Sequence, residues 1–200
     1  LREKLAYGEL LEEIARAYGG ERHRTEALVY LEKALDIYKD HAQRDREVSV
    51  LQAIGNTYYF SNNQTKAEEN FVKALSIYRE IGNRLGEANA LRSLGDVKGM
   101  QSNYGEAEGL YQQALPIHRE IGDHLGEANV IRSLGDVKMA HSDYAEAERL
   151  YQQALTIHRE IGSRLGEANV LQSLGDVKRM QGNYGEAERI YQQALPIYRE

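Results

Sequence analysis

Histidines are the residues of this 200-residue chain whose type is best suited to metal binding or proton transfer. His118 and His158 are 40 residues apart, and a metal site would need further imidazole or carboxylate ligands beside them. The same place in the 40-residue pattern is held elsewhere by Tyr38, Tyr78 and Tyr198. A position that accepts both residue types takes a flat ring with a polar tip rather than a metal ligand. No i, i+4 pairing connects the remaining histidines, His23, His41, His124 and His141. The sequence therefore predicts no metal site.

Closely spaced glutamates are the second candidate for chemistry, as the paired carboxylates of acid–base catalysis. They recur as Glu106/Glu108, Glu146/Glu148 and Glu186/Glu188. Catalysis of this kind needs carboxylates in a cleft with separated pKa values. Each pair falls instead at the start of a predicted helix, where negative charge complements the helix dipole. The sequence contains neither a Gly-x-x-x-x-Gly-Lys loop nor a Gly-x-Ser-x-Gly elbow. We expect a protein that is not an enzyme and that uses no cofactor.

Composition narrows the function classes further. The chain is 28% charged, has a net charge of −6 and contains no cysteine. An acidic chain is poorly suited to binding nucleic-acid phosphates. No apolar run approaches the roughly 18 residues of a membrane span, and the absence of cysteine fits a reducing compartment. We expect a cytoplasmic protein that binds neither nucleic acid nor membrane.

The secondary-structure elements that position these residues belong to an internal sequence repeat. Residues 86–125 and 126–165 align without gaps and are identical at 29 of 40 positions. Five copies cover the chain, with approximate bounds 1–45, 46–85, 86–125, 126–165 and 166–200. The sequence thus predicts a single repeat domain over residues 1–200.

Each copy has the periodicity of two helices. Small or apolar residues recur at 3.6-residue spacing over 87–100 and again over 104–121. Asn103 with Glu106 predicts a capping box for the second helix, and the pattern recurs at Asp143 and Asn183. Left-handed C-caps are predicted at Gly82, Gly122 and Gly162. Pro116 and Pro196 fall inside the predicted second helix, where each should bend it.

The spacing Leu51-x2-Ile54-Gly55-x2-Tyr58, followed by Ala67-x3-Phe71, resembles the tetratricopeptide repeat signature. The period is 40 rather than 34, and the signature tyrosine is replaced by Lys98, Lys138 and Lys178 in later copies. We expect these lysines to lay their stems over the neighbouring pair and reach water or a glutamate. The longer period is similar to that of Pins-type adaptors, kinesin light chains and sensor arrays of signalling ATPases. The resemblance implies an all-α, right-handed superhelical solenoid of five helix-turn-helix repeats.

In such a solenoid the first helix of each pair lines the concave face, and the resemblance implies that peptide ligands bind there. The predicted polar stripe comprises Asn56, Tyr59, Asn89, Arg92, Ser93, Asp96, Met100, Asn129, Arg132, Ser133, Asp136, Ala140, Asn169, Gln172, Ser173, Asp176 and Met180. Asparagine can pair with an extended peptide backbone, and arginine can hold a carboxylate in a bidentate fork. Recent duplication would also produce such a stripe, as a solvated face without a ligand. The first interpretation predicts a scaffold for protein–protein interaction that binds a peptide or protein segment on its concave face.

A second interpretation belongs to a different class. It is a structural or sensor array within a larger signalling ATPase, with end-to-end or domain-packing contacts in place of a peptide groove. The printed chain stops within the second helix of the fifth copy. We therefore expect either a fragment of a longer array or self-association of copies through their terminal repeats.

Overall fold

The computed structural model describes residues 2–18 and 23–199. Within these ranges the chain forms ten α-helices: α1 (Arg2–Ala17), α2 (Arg24–Asp40), α3 (Arg44–Phe60), α4 (Gln64–Glu80), α5 (Arg84–Met100), α6 (Tyr104–Glu120), α7 (His124–Ala140), α8 (Tyr144–Glu160), α9 (Arg164–Met180) and α10 (Tyr184–Ala194). A 3-10 turn follows at Ile197–Arg199. The odd-numbered helices are the first helices of the five predicted pairs, and the even-numbered helices are the second.

Two compact units divide the chain. The first unit, Leu1–Gln101, contains α1 to α5, and the second, Ser102–Glu200, contains α6 to α10. Within each unit every helix packs against the next one along the chain. The first helices α7 and α9 of the second unit also contact each other. The predicted fold class, all-α and built from helix-turn-helix repeats, is confirmed.

The buried stripes of the helices are those that the periodicity predicts. In α5 the buried residues include Ala88, Leu91, Leu94, Gly95 and Val97. In α6 they include Ala107, Tyr111, Ala114 and Ile117, whereas Tyr104, Leu110 and Leu115 are half-buried. Burial of each large apolar side chain stabilises the fold by about 1.5–3 kcal/mol, so tertiary packing rather than helix propensity holds the pairs together.

A glycine near the start of three first helices lets a ring of the preceding helix approach the backbone. A Cβ atom added to Gly86 would lie 2.2 Å from the ring of Tyr78. Added to Gly126 or Gly166, it would lie 2.2 Å from Nδ1 of His118 or His158, respectively. Both histidine rings are buried, as is Tyr38, whereas Tyr78 is half-buried and Tyr198 is exposed. The flat ring at this position therefore lies in the core in three of the five copies.

The polar atoms of the two buried histidines are engaged differently. His118 Nδ1 lies 2.9 Å from Asp123 Oδ2. The residue corresponding to Asp123 in the next copy is Ser163, and neither ring nitrogen of His158 has a hydrogen-bond partner among the described residues. A hydrogen bond to the ring is therefore found at Nδ1 of His118, but at neither ring nitrogen of His158.

Helix caps agree with the sequence at some positions only. The left-handed glycines are confirmed, with φ values of 71°, 70° and 68° at Gly82, Gly122 and Gly162. Asp143 accepts a hydrogen bond from the Glu146 N–H at 3.2 Å, as predicted. The cap predicted at Asn103 was wrong, because its amide donates to Glu106 Oε1 at 2.6 Å instead of accepting from a helix N–H. Asn183 also makes no side-chain cap bond.

The two prolines have different effects on their helices. Helix α6 continues through Pro116 to Glu120, although proline removes one backbone donor. The buried residues Ile117 and His118 follow directly and hold this last turn in the core. Helix α10 ends at Ala194, before Pro196. Pro196 therefore lies outside the helix in which the sequence placed it.

Candidate functional site

The predicted stripe lies on the first helices α3, α5, α7 and α9. Asn56, Tyr59, Asn89, Arg92, Asp96 and Met100 belong to the first unit, and the remaining residues belong to the second. Ser93 and Ser133 were wrongly assigned to this surface, because both are buried. Gln52 of α3 donates a hydrogen bond to Ser93 Oγ at 3.2 Å. Each serine directly follows an arginine of the stripe, Arg92 or Arg132. Consecutive helical residues are 100° apart, so the serine faces the helix interface while the arginine faces outward.

The asparagines of the stripe differ in how they are engaged. The side chains of Asn89 and Asn129 are half-buried, and no hydrogen bond of either amide to a described residue is found. Asn169 Oδ1 accepts a hydrogen bond from the Tyr198 hydroxyl at 2.8 Å, and this hydroxyl also lies 3.1 Å from Gln172 Oε1. Asn89 in the first unit and Asn129 in the second therefore each present a half-buried amide, with two donors and an acceptor, that makes no hydrogen bond to a described residue.

The arginines of the stripe form ion pairs within their own helices. Arg92 donates to Asp96 at 3.1 Å, and Arg132 donates to Asp136 at 2.9 Å. About one third of each arginine side chain is exposed, 32% and 33% respectively. A ligand carboxylate would have to compete with the aspartate at either site. The stripe therefore offers nearly neutral Arg–Asp pairs rather than isolated positive charges.

The aspartates of the stripe also anchor the second helices. The Tyr151 hydroxyl donates to Asp136 Oδ1 at 2.7 Å, and the Tyr191 hydroxyl donates to Asp176 Oδ1 at 2.9 Å. Burial raises the pKa of Tyr151, and the Asp136 carboxylate raises it further. The sequence predicts these aspartates only as residues of the groove. The tyrosine that recurs 15 residues after each aspartate is the sequence pattern that indicates the contact.

The lysines that replace the signature tyrosine bridge consecutive pairs. Their Nζ atoms lie 2.7 Å from carboxylate oxygens in Lys98–Glu68, Lys138–Glu108 and Lys178–Glu148. The expectation that these lysines reach a glutamate is confirmed. Glu108 and Glu148, considered above as paired acids, are therefore partners in structural ion pairs.

A second set of ion pairs lies near the other end of the same helix junctions. Arg79–Glu87, Arg119–Glu127 and Arg159–Glu167 have N–O distances of 2.9, 2.7 and 2.9 Å. Burial opposes ionisation of Glu87, but hydrogen bonds from Arg79 and Arg84 hold its pKa below the ordinary value. The junctions α4–α5, α6–α7 and α8–α9 therefore each have two ion pairs, which fix the register of one helix against the next.

The described residues offer neither a metal-binding cluster nor a membrane-spanning helix. No group of three or more His, Cys, Asp or Glu side chains in residues 2–18 and 23–199 is arranged to hold a metal ion. None of the helices in these ranges combines the length and the hydropathy needed to cross a lipid bilayer.

Helix pairs repeated every 40 residues, with a glycine–ring contact and ion pairs at successive junctions, define a helical repeat protein. A sequence model of the tetratricopeptide repeat matches residues 8–80, 51–120, 86–160 and 126–200. The chain belongs to the tetratricopeptide repeat family. No curated protein sequence gives a significant match.

Solved structures with similar folds include three informative cases. The kinesin light chain TPR-like repeats of Podosopora anserina share 17% identity, with a TM-score of 0.73 and coverage of 95% of this chain and 94% of that one. A STAND protein with a tetratricopeptide repeat sensor from Pyrococcus horikoshii shares 20% identity, with a TM-score of 0.83 and coverage of 98% and 31%. A Rap protein complexed with competence and sporulation factor shares 17% identity, with a TM-score of 0.74 and coverage of 100% and 66%. At these identities the likeness concerns the fold alone.

Proposed function

We propose that this protein is a non-catalytic scaffold that binds an extended peptide or protein segment through the polar residues on the first helices of each unit. The observation that carries the proposal is that each unit has a half-buried asparagine, Asn89 in the first and Asn129 in the second, whose amide makes no hydrogen bond to a described residue. A peptide backbone presents alternating donors and acceptors, and an asparagine amide can serve both. Partial burial restricts the rotamers of these amides, which lowers the entropic cost of ordering them on a ligand.

The other stripe residues contribute contact area and selectivity. Met100 and Met180 are 38% and 51% exposed, and flexible thioether side chains adapt to apolar groups of different shapes. The Arg92–Asp96 and Arg132–Asp136 pairs add polar contacts of both signs. The similarity in fold to a Rap protein complexed with competence and sporulation factor supports a binding role for an array of this kind.

Peptide-display panning against the immobilised chain tests this proposal. The parent is compared with the variant N89A/N129A/N169A and with a matched control, Q112A/Q152A/Q192A, which removes three exposed glutamines from the second helices. We expect enriched peptides to bind the parent and the control, and to bind the asparagine variant at least tenfold more weakly. Equal binding to an asparagine variant that retains its helical circular dichroism would refute the mechanism.

A structural or sensor array is the second candidate function. It is supported by the ion pairs at successive junctions and by the apolar residues Tyr184 and Leu195, which are 71% and 50% exposed on and beside α10. Their side chains would then contact a sibling domain or a second copy. If this function is correct, N89A/N129A/N169A and the parent show the same peptide binding. The variant Y184S/L195S then lowers the sedimentation coefficient of the assembly.

A further inference from the structure

The junctions α6–α7 and α8–α9 of the second unit differ at the residue that precedes the first helix. This N-cap residue is Asp123 before α7 and Ser163 before α9. Asp123 Oδ1 accepts a hydrogen bond from the Gly126 N–H at 3.0 Å, and its Oδ2 lies 2.9 Å from His118 Nδ1. One carboxylate therefore connects a buried ring of one helix pair to the first turn of the next pair.

The junction α8–α9 has the same ring and the same helix start, but a serine takes the place of the aspartate. Ser163 makes no side-chain cap bond to α9. His158 is 1% exposed, and its Nδ1 has no hydrogen-bond partner among the described residues. A hydroxyl offers one oxygen where a carboxylate offers two. The imidazole nitrogen of this junction is therefore a buried polar atom that the fold does not satisfy, which is uncommon in proteins.

The Nδ1 atom of His158 points to the same place in its junction as that of His118. A Cβ atom added to Gly126 would lie 2.2 Å from His118 Nδ1 and 2.4 Å from Asp123 Oδ2. A Cβ atom added to Gly166 would lie 2.2 Å from His158 Nδ1. Both nitrogens therefore face the first turn of the following helix, beside the position that a carboxylate takes in the junction α6–α7.

Solvent reaches this position even though the ring is buried. The side chain of Asp123 is 27% exposed where it contacts His118, and Ser163 is half-buried at the corresponding place. The first N–H groups of a helix and the positive end of its dipole both favour an anion. A group from outside the chain can therefore approach the start of α9 from solvent.

The charged side chains of the neighbouring helices are paired with one another. Glu167 of α9 lies 2.9 Å from Arg159 of α8 and 3.0 Å from Arg164. On α7, Arg132 pairs with Asp136 at 2.9 Å. The groups that would contact an anion at the start of α9 are therefore an imidazole, a hydroxyl and a backbone N–H.

We propose that the start of α9 is a binding site for a carboxylate group from outside the chain. One oxygen accepts a hydrogen bond from His158 Nδ1, and the other accepts from the Gly166 N–H, which is the arrangement of Asp123 in the junction α6–α7. The Ser163 hydroxyl donates a third hydrogen bond. Hydrogen bonds to an ionised acceptor are stronger than those between neutral groups. The carboxylate belongs to a small organic acid or to an acidic side chain of a partner protein.

This site is separate from the proposed peptide-binding surface, because none of its three residues belongs to the stripe. A bound carboxylate connects α8 to α9 as Asp123 connects α6 to α7. Any ligand that binds only the folded chain stabilises it in proportion to the occupancy of the site. Occupancy should therefore stabilise the last two helix pairs against unfolding.

The first test titrates the full chain with formate at constant ionic strength and follows the Hε1 chemical shift of His158. The resonance is assigned by its loss in His158→Tyr. We expect a saturable shift with a Kd on the order of 10 mM, as for a ligand of three heavy atoms. The absence of a saturable shift, or an equal shift with chloride in place of formate, overturns the proposal.

The pH dependence of formate binding has a definite sign. Burial and the Arg132 guanidinium lower the pKa of His158 in the free protein. A bound anion favours the charged imidazole and raises this pKa. Formate should therefore bind roughly threefold or more tightly at pH 6 than at pH 8. Equal or weaker binding at pH 6 would show that formate does not contact the ring.

Two variants exchange the residues that distinguish the junctions. Ser163→Asp supplies the carboxylate within the chain, so formate binding at His158 should fall about tenfold or more. Asp123→Ser should create a second site, and the Hε1 resonance of His118 should then respond to formate. Each variant carries a residue that the other junction already has, and circular dichroism checks that it is folded. A formate response at His158 in folded S163D, or none at His118 in folded D123S, contradicts the proposal.

A second probe distinguishes the two sources of the carboxylate. N-acetylaspartate N-methylamide carries the same group on a peptide unit. If it shifts the His158 resonance as formate does, the site accepts an acidic side chain of a protein. If only formate binds, the site is assigned to small organic acids, and if neither binds, the proposal is wrong. Display peptides that depend on the asparagines should bind S163D as they bind the parent, so the scaffold proposal is tested independently.

Discussion

Single glycines set the distance between successive helix pairs. At Gly86, Gly126 and Gly166 the ring of the preceding second helix occupies the volume that any larger residue would need. Glycine is usually unfavourable in a helix, by about 1 kcal/mol relative to alanine. At these positions the close approach of a buried ring offsets that cost. At Gly126 and Gly166 the buried ring is a histidine, His118 or His158, and burial disfavours the charged form of a histidine.

Gly166→Ala should destabilise the protein by about 2–3 kcal/mol, because the new methyl group overlaps the His158 ring and overpacking is costly. Urea unfolding at pH 7.5 measures the change. Gly109→Ala is the matched control, since a Cβ there meets nothing within 4 Å. We expect the control to be neutral or more stable by up to about 1 kcal/mol. A G166A protein as stable as the parent would show that the ring moves aside freely.

His158 should make the protein less stable in acid. Burial, followed by the nearby Arg132 guanidinium, lowers the pKa of His158 below its usual value of 6.5. The unfolded chain takes up a proton at this residue as pH falls through about 6.5, and the folded chain resists it. Each further pH unit therefore costs up to about 1.4 kcal/mol of stability, until the lower folded pKa is reached.

The variant His158→Tyr isolates this contribution, because Tyr78 fills the same position against Gly86. Urea unfolding between pH 5 and 8 should show a smaller loss of stability in acid for H158Y than for the parent. His124→Gln, at an exposed position, should leave the loss unchanged. Identical pH profiles for H158Y and the parent would assign the acid sensitivity to other groups.

At the scale of helices, ion pairs between consecutive pairs supplement the apolar interface. Lys138 and Glu108 are each about one quarter exposed at their side chains, which places the contact between a buried and a surface ion pair. Tyr58 of α3 takes the place that Lys98, Lys138 and Lys178 have in later pairs. Leu28 of α2 takes the place of their partner glutamates. The lysine and its glutamate partner are therefore both absent between the first two pairs and both present at the later junctions, as expected if these two positions are in contact.

A double-mutant cycle with Glu108→Gln and Lys138→Met should give a coupling free energy of about 1 kcal/mol, measured by urea unfolding. Partial burial reduces the screening of this pair by solvent, so most of the coupling should persist in 0.5 M NaCl. The cycle for Glu13 and Arg16, which are 64% and 70% exposed, should give no measurable coupling. Equal coupling in the two cycles would mean that burial does not matter at this junction.

At the scale of the whole molecule, the helix pairs are alike in fold and unequal in packing. The later pairs of the second unit combine glycine–ring contacts with two ion pairs at each of two junctions. The first pair has Ala15, Leu31 and a cavity of about 570 Å³. In repeat proteins each pair is stabilised by its neighbours, so local differences in packing appear as local differences in stability.

Backbone amides of α1 and α2 should therefore exchange with deuterium at least tenfold faster than those of α7 and α8. Hydrogen–deuterium exchange followed by mass spectrometry on the parent chain measures this difference peptide by peptide. The comparison uses only the buried turns of each helix, so that fraying ends do not contribute. Uniform exchange across the four helices would contradict the expected order of stability.

The sequence predicts the helix pairs, their period and most buried positions, because these follow from local periodicity. It does not predict that Asp136 and Asp176 anchor Tyr151 and Tyr191, since such contacts depend on how two helices face each other. For the same reason the polar stripe included Ser93 and Ser133, which are buried. The cavity was predictable in principle, by comparing Leu31 with the aromatic residues at the same position in later copies.

The contacts between consecutive helix pairs also affect how the number of repeats can change during evolution. Helix α6 meets α7 through His118 on Gly126, Arg119 on Glu127 and Glu108 on Lys138. Helix α9 carries the same partner residues, as Gly166, Glu167 and Lys178. Loss of residues 126–165 by unequal recombination would therefore join α6 to a helix that already matches it. A lineage could gain or lose 40 codons at a time without having to evolve a new interface.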